Sequence, residues 1–202
     1  MELVADKIKV IRGGKIVFSN LSFRVPVGYA LVIHGMNGSG KSTLIRSVAQ
    51  LLPIESGLIK LRARPKRLHQ HSISELCHYL GHENGMKMTF SVEENLMFWR
   101  DFLGNHYLNI EKALEVVGLS GLSSLPYSLL STGQRRWVAI ARLLVSYRQI
   151  WLLDEPTSGL DEASQEQFCQ LMNTHLDDGG MILVASHLPL TVNRFVTLTL
   201  TD

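Results

Sequence analysis

Short runs of alternating apolar and polar residues open the chain, which is the pattern of β-strands. The runs KIKVI, KIVF, LSFRV and ALVIH lie within residues 2–34 and are broken by Gly13-Gly14 and by Pro26-Val27-Gly28. Glycine and proline interrupt strands and form turns. Residues 56–64 alternate between apolar and basic side chains, which predicts a further strand with a basic outer face.

Beyond residue 40 the spacing of apolar residues becomes helical. We predict a helix over residues 41–52 that stops at Pro53, and mostly helical structure with little strand over residues 75–125. Ser91 and Glu94 have the spacing of a capping box ahead of the sequence VEENLMFWRDFL. This spacing predicts a helix start.

Strands and helices then alternate toward the C-terminus. The apolar runs IWLLD (150–154) and MILVAS (181–186) predict buried strands, with a helix over 162–176 between them and another over 134–146 before them. This alternation predicts an α/β fold with helices on the faces of a parallel sheet. The block over 75–148 interrupts the alternation and is predicted to form a mostly helical lobe within a single domain of residues 1–202.

Composition narrows the class of protein. With 202 residues, 46% of them hydrophobic and 19% charged, the chain has the composition of one globular domain. The net charge of +2 is too small to indicate a nucleic-acid partner. Cys77 and Cys169 lie outside any CxxC pattern, which argues against a zinc site or a disulfide framework.

Residues 35–42 read GMNGSGKS, the pattern of a phosphate-binding loop between a strand and a helix. In such a loop the backbone N–H groups surround the phosphates, the lysine reaches the terminal phosphates and the hydroxyl holds Mg²⁺. These last two roles fall to Lys41 and Ser42. The residues predicted to bind the nucleotide are Gly35, Met36, Asn37, Gly38, Ser39, Gly40, Lys41, Ser42 and Thr43.

Two adjacent carboxylates follow the apolar strand IWLLD. Asp154 ends the strand, so we expect it beside the phosphate loop, where it can hold Mg²⁺ together with Ser42. Glu155 comes next and is a candidate base for an attacking water. A solvated turn is the alternative interpretation of such a pair, and it fits poorly beside an intact phosphate loop.

Three further segments indicate the family. The chain reads LLSTGQRRWVAIARLL at 129–144, SGLD at 158–161 and Ser186-His187 after the strand MILVAS. In this order they resemble the signature, the D-loop and the switch histidine of ATP-binding-cassette (ABC) ATPases. The resemblance implies a P-loop fold of ABC type, with an antiparallel β subdomain and an inserted helical lobe.

The resemblance also implies how the residues act on ATP. Two copies of the chain would enclose two ATP molecules and form a homodimer. Ser131, Gly133 and Gln134 of one copy would bind the γ-phosphate held by the other, at a helix N-terminus that favours anions. His187 would contact the γ-phosphate of its own chain, and Asp161 would belong to the D-loop.

Some segments are similar to a narrower group, the ATP-binding subunits of cytochrome c maturation complexes. These segments are LSTGQRRWVAIARLL, YLGHENGMKMTFSVEENLMFW and HLPL. The similarity implies an ATPase that uses ATP and Mg²⁺ to drive haem export or release of a haem-loaded chaperone. It also implies integral membrane partners, no nucleic acid, and a peripheral position at the cytoplasmic face of the bacterial inner membrane or the matrix face of the mitochondrial one.

Two positions depart from the usual ABC pattern. Glu83 stands where most members have a glutamine that contacts Mg²⁺, so we predict it as a metal-site residue of altered charge. Just before the Gly13-Gly14 turn, most members stack an aromatic residue on adenine, whereas this chain offers Ile11 and Arg12. A guanidinium can stack on a base, so Arg12 is a candidate for ATP binding, with a solvated arginine as the equal alternative.

Several alternatives stay open at this stage. Phe98 and Phe102 lie off the apolar stripe of their predicted helix, so they either pack in the core or dock a membrane subunit. His78 and His82 have helical spacing and could hold a metal, although clustered surface histidines are commoner. The alternative functions are a soluble ABC ATPase acting on nucleic acid or ribosomes, and a GTPase or small-molecule kinase. The last class is disfavoured because the chain lacks an NKxD motif.

Overall fold

The computed structural model describes residues 1–62 and 72–201. These residues form two compact units. The first, here called the core unit, comprises Met1–Gly81, Gln149–Thr157 and Gln165–Asp202. The second, here called the helical unit, comprises His82–Arg148 and Ser158–Ser164.

An antiparallel sheet in the core unit is built from the N-terminal strands. Its strands are β1 (Glu2–Arg12), β2 (Lys15–Pro26) and β4 (Ser56–Arg62), in the order β2-β1-β4. The runs KIVF and LSFRV form one strand: β2 continues through Asn20, whose backbone is left-handed (φ 57°), while the register shifts along β1. The last two residues of the strand predicted over 56–64 lie outside the described residues.

A parallel sheet of five strands forms the other layer of the core unit. Its strands are β3 (Ala30–His34), β5 (Cys77–Leu80), β6 (Ile150–Asp154), β7 (Met181–Ala185) and β8 (Phe195–Thr199), in the order β5-β6-β7-β3-β8. All paired neighbours are parallel, which confirms the α/β prediction.

Strand β5 corrects the prediction of helix from residue 75 onward. Only the single helical turn α2 (Ile73–Leu76) precedes it, and Cys77 then pairs with Ile150 at the sheet edge. His78 is buried within this strand, so the alternative in which it shares a helix face with His82 is excluded. Among residues 1–62 and 72–201, no group of three or more His, Cys, Asp or Glu side chains is arranged to hold a metal ion.

Five longer helices lie within residues 1–62 and 72–201. They are α1 (Lys41–Val48), α3 (Val92–Leu103), α4 (Ile110–Val116), α5 (Thr132–Val145) and α6 (Glu162–Asp177). Helix α1 ends before the predicted residue 52 because Gln50 adopts a left-handed backbone (φ 61°). No helix in the part of the chain that is described is both long and apolar enough to cross a membrane.

The hydrophobic core of the core unit surrounds α1. Leu44 and Ile45 of this helix are fully buried and share one cluster with apolar residues of both sheets, among them Leu3, Ile33 and Leu183. Burying such side chains contributes about 1.5–3 kcal/mol each. The helix that follows the phosphate loop is therefore held between two sheets, and its first turn is fixed in position.

Candidate active site

Three neighbouring strands of the parallel sheet end at one edge. β3 leads into the phosphate loop, β6 ends at Asp154, and β7 leads into Ser186-His187. β7 pairs with both other strands, and Asp154 lies opposite Ala185. Ligands of parallel α/β sheets bind at the carboxyl ends of the strands, so the fold brings these predicted residues to one place.

Glycines give the phosphate loop its shape. Gly40 has φ 98°, and a Cβ atom there would lie 2.5 Å from Cγ1 of Val17. A Cβ atom on Gly35 would lie 2.4 Å from Oγ of Ser39 and 2.9 Å from a backbone carbonyl. Larger residues would displace the loop backbone, whose N–H groups form the anion-binding concavity.

Lys41 is the first residue of α1 and lies inside the loop. Its Nζ donates to the carbonyls of Gly35 (2.8 Å) and Met36 (3.0 Å), and only 7% of the residue is exposed. The ammonium group and the helix N-terminus place positive charge at one point. This arrangement suits the terminal phosphates of a nucleotide.

Ser42 and Asp154 meet across the sheet edge. Oγ of Ser42 donates to Oδ1 of Asp154 at 2.8 Å, and Asp154 is 3% exposed. A hydroxyl beside a buried carboxylate is a set of hard oxygen donors of the kind Mg²⁺ prefers. Glu83, the third predicted metal residue, is an exposed residue of the helical unit, and its role stays a prediction.

Glu155 faces the end of β7. Its backbone is left-handed (φ 48°) and its N–H donates to the carbonyl of Ala185 at 2.9 Å. Its Oε2 accepts from the backbone N–H of His187 at 3.3 Å, and its Oε1 lies 3.3 Å from Nε2 of the same histidine. A non-glycine residue held at positive φ costs about 1–3 kcal/mol and tends to mark functional sites.

A small turn fixes the position of His187. The hydroxyl of Ser186 donates to the carbonyl of Leu188 (2.9 Å) and accepts from its N–H (3.1 Å). The imidazole is 47% exposed and stands beside the 27% exposed carboxylate of Glu155. The pair can therefore meet a ligand while each partner orients the other.

In the helical unit, the predicted signature begins α5 with a capping box. Oγ of Ser131 accepts from the N–H of Gln134 at 3.2 Å, and the Gln134 side chain accepts from the N–H of Ser131 at 2.9 Å. The first turn of α5 carries no acidic residue. The spacing S-x-x-Q is a sequence signal for this cap, and sequence reasoning missed it.

Asp161 caps the start of α6. Its Oδ1 accepts from the N–H of Ser164 at 2.9 Å. Hydrogen bonds from the Ser164 side chain and backbone hold the pKa of the exposed Asp161 carboxyl below its usual value. The predicted D-loop residue is therefore a negative charge at a helix N-terminus, where the helix dipole favours it.

Arg12 lies exposed at the tip of the β1–β2 hairpin. Its neighbour Ile11 pairs with Ile16 across the hairpin, and these two isoleucines are 38% and 59% exposed. The same hairpin supplies Val17, which packs against the loop at Gly40. Contact of Arg12 with adenine remains a prediction.

Known proteins resemble this chain over nearly its whole length. Residues 18–158 match the model of the family described as ABC transporter. The chain is 52% identical over 190 residues to the cytochrome c biogenesis ATP-binding export protein CcmA of a Chelativorans species, covering 94% of this chain and 93% of that protein. It is 53% identical over 192 residues to the protein of the same name from Mesorhizobium japonicum, covering 95% and 94%.

Solved structures of ABC transporter subunits resemble this chain in fold. The structure of cbiO1 from Clostridium perfringens, part of the ABC transporter complex cbiONQ, is 26% identical with a TM-score of 0.75, over 92% of this chain and 78% of that one. An ATP binding subunit of an ABC transporter, 21% identical, has a TM-score of 0.83 over 100% of this chain and 89% of its own. The match to the ABC transporter family decides against the GTPase and small-molecule kinase alternatives.

Proposed function

The chain belongs to the ABC transporter family of ATP-binding proteins, and from this premise we propose that it is the ATP-hydrolysing subunit of a membrane complex in cytochrome c biogenesis. The observation that carries the ATPase part is the meeting of the phosphate loop, the Ser42–Asp154 hydrogen bond and the Glu155–His187 pair at one sheet edge. The relatives named for cytochrome c biogenesis support the rest.

In this proposal, residues of the core unit have separate roles in binding and hydrolysing ATP. The loop N–H groups and Lys41 bind the phosphates, with Nζ turning from the loop carbonyls to the nucleotide. Ser42 and Asp154 would hold Mg²⁺, which when bound neutralises phosphate charge. Glu155 orients the attacking water and accepts its proton, and His187 holds Glu155 and contacts the γ-phosphate.

The helical unit would act on the ATP of a second copy. Helix α5 presents the hydroxyl of Ser131 and the first backbone N–H groups of the helix, with no acidic residue in its first turn. Such a helix N-terminus binds phosphate well. Two copies would therefore enclose two ATP molecules in a homodimer, and hydrolysis would release them.

A role in cytochrome c biogenesis implies that the protein acts at a membrane. We infer a peripheral subunit at the cytoplasmic face of the bacterial inner membrane, bound to integral membrane partners and driving haem export or haem-chaperone release. A nucleic-acid- or ribosome-directed ATPase was the other candidate. It has no support from the relatives, which are named as export proteins.

The test is complementation of a bacterium that lacks its own cytochrome c biogenesis ATP-binding subunit. This chain should restore covalent haem attachment to a reporter c-type cytochrome, measured by in-gel haem staining. Lys41→Ala and Glu155→Gln should fail at equal expression, whereas the surface variant His106→Gln should succeed. Normal ATPase activity of the purified chain without complementation would contradict the proposed pathway and leave the ATPase assignment standing.

A further inference from the structure

Asn84, directly after Glu83, lies at the centre of a polar network in the helical unit. Its Nδ2 donates to Oη of Tyr127 at 3.1 Å, and its Oδ1 accepts from Nη1 of Arg136 at 3.0 Å. Tyr127 is 2% exposed and Arg136 is 4% exposed. One amide side chain therefore joins two buried polar groups.

These two partners flank the signature serine along the chain. Tyr127 begins the 3-10 turn Tyr127–Leu129 just before Ser131, and Arg136 lies in the second turn of α5 just after it. Asn84 thus holds both sides of the segment that carries Ser131.

Further contacts close the network around the same segment. Oη of Tyr127 donates to the carbonyl of Arg135 at 3.2 Å, while the Arg135 guanidinium donates to the carbonyls of Tyr127 (3.3 Å) and Ser128 (2.6 Å). Burial raises the pKa of Tyr127, so its hydroxyl stays protonated and keeps donating. The turn before α5 is therefore tied to the first turns of the helix.

The segment after Asn84 is fixed independently. Nε1 of Trp99 donates to the carbonyl of Gly85 at 2.9 Å, and the guanidinium of Arg142 lies 4.4 Å from the centre of the Trp99 ring. Gly85 has φ 67°, and a Cβ atom there would lie 3.0 Å from Nη1 of Arg142. Because the backbone next to Asn84 is anchored, Asn84 is a rigid support for the signature.

We propose that Asn84 is a positioning residue for ATP hydrolysis, which holds Ser131 at the angle needed to meet the nucleotide of a second copy. The inference rests on the proposed function, because Ser131 acts on ATP only in that scheme. Removing the amide leaves the buried Arg136 without this acceptor, which makes the network rearrange. A displacement of about 1 Å at a catalytic group lowers rates by up to about 100-fold.

The experiment compares steady-state ATP hydrolysis by the full chain and its variants. Asn84→Ala should lower kcat about tenfold or more, with a much smaller change in KM for ATP. Asn84→Asp, which keeps an acceptor for Arg136, should recover most of the rate. Asn105→Ala is the matched control, because Asn105 also donates one hydrogen bond within the helical unit, to the carbonyl of Tyr147 at 2.9 Å.

A double-mutant cycle separates positioning from loss of stability. If Asn84 acts through Ser131, then adding Asn84→Ala to Ser131→Ala should lower kcat little further. Additive losses would overturn the proposal, and so would equal kcat values for Asn84→Ala and Asn105→Ala in samples folded by their melting curves. Absence of hydrolysis by the unmodified chain would contradict the proposed function and this inference with it.

Discussion

The backbone of Glu155 carries strain that its neighbours hold in place. A glutamate at φ 48° is kept there by hydrogen bonds to the end of β7 and by contact with His187. The strain is consistent with a carboxylate aimed at a reacting water.

Glu155→Gln should therefore abolish most ATP hydrolysis while leaving ATP binding intact. The carboxamide keeps the shape of the side chain but cannot accept the proton of water, and general-base catalysis contributes about 100- to 10,000-fold. Phosphate release measures hydrolysis, and size-exclusion chromatography with ATP should detect a persistent dimer.

Lys41→Ala is the companion variant, and unlike Glu155→Gln it should lose ATP binding. Loss of Nζ should weaken nucleotide binding itself, measured by titration with a fluorescent ATP analogue. A normal hydrolysis rate in Glu155→Gln would show that this carboxylate is not the base.

His175 is a second residue whose environment sets its chemistry. It is 6% exposed, its ring stacks on Trp151 with centroids 4.1 Å apart, and Gly180 leaves room for it where a Cβ atom would lie 2.2 Å from Nε2. Burial lowers the pKa of His175 from 6.5 to about 4. The folded protein therefore keeps this ring neutral.

The stability of the chain should fall as pH drops from about 6.5 to about 4. In this range the unfolded chain protonates His175 and the folded chain does not, so protons favour unfolding. The pKa difference lowers the free energy of unfolding by about 3 kcal/mol once the pH is below both pKa values. Above about pH 6.5 His175 is neutral in both the folded and the unfolded chain, so this loss of stability is absent.

The check is chemical denaturation across this pH range. The profile of His175→Gln should be shallower than that of the unmodified chain. His106→Gln, at an exposed position, should leave the profile as it was. Identical profiles for all three proteins would contradict the role of His175.

At the scale of the element, two helices of the helical unit begin with the same cap. Ser91 starts α3 and Ser131 starts α5, and each hydroxyl accepts from the third N–H of its helix, at 3.1 and 3.2 Å. Removing such a cap costs about 0.5–2 kcal/mol. Any functional role of Ser131 must therefore be separated from its structural one.

Ser91→Ala and Ser131→Ala should lower the free energy of unfolding by similar amounts, about 1 kcal/mol. Only Ser131→Ala should also lower ATP hydrolysis strongly, because only its hydroxyl would bind the γ-phosphate of a second copy. Ser91→Ala is the matched control for the loss of a cap. Equal hydrolysis by the two variants would mean that Ser131 serves only as a cap.

At the scale of the whole molecule, helix α3 exposes an aromatic face that takes no part in the proposed ATP site. Phe98 and Phe102 are 50% and 70% exposed and stack at 5.9 Å, whereas Val92 and Leu96 of the same helix are fully buried. The alternative that both phenylalanines pack in the core is wrong. Docking to a membrane subunit stays a prediction.

Phe98→Ala and Phe102→Ala should leave the Tm of the isolated chain nearly unchanged, because surface substitutions usually change stability by less than about 0.5 kcal/mol. Both should reduce retention on membranes that contain the partner subunits, since an interface anchor commonly contributes more than about 2 kcal/mol. Leu96→Ala is the control for a core position and should cost about 2–5 kcal/mol of stability. Unchanged membrane retention would place the partner surface elsewhere.

The sequence alone determined the phosphate loop, the carboxylates at the end of β6, the two-residue cap of α3 and the α/β class. These features depend on residues that are close together along the chain, or on apolar runs such as IWLLD whose burial requires a sheet. Strand β5 was missed because its four residues carry no pattern of their own, and they become a strand only by pairing with β6. Strand β8 was also missed, although its residues FVTLT alternate between exposed and partly buried positions as a strand does.

Only the tertiary structure decided which distant residues meet. The Glu155–His187 contact depends on the pairing of β6 with β7, which no local pattern specifies, whereas the approach of Asp154 to Ser42 was expected from the phosphate loop and the strand that ends in Asp154. The Asn84–Tyr127–Arg136 network likewise joins polar residues that carry no sequence signal of their own. The physical reason is that periodicity and turn chemistry act over a few residues, whereas sheet order and buried hydrogen bonds are selected by packing of the whole chain.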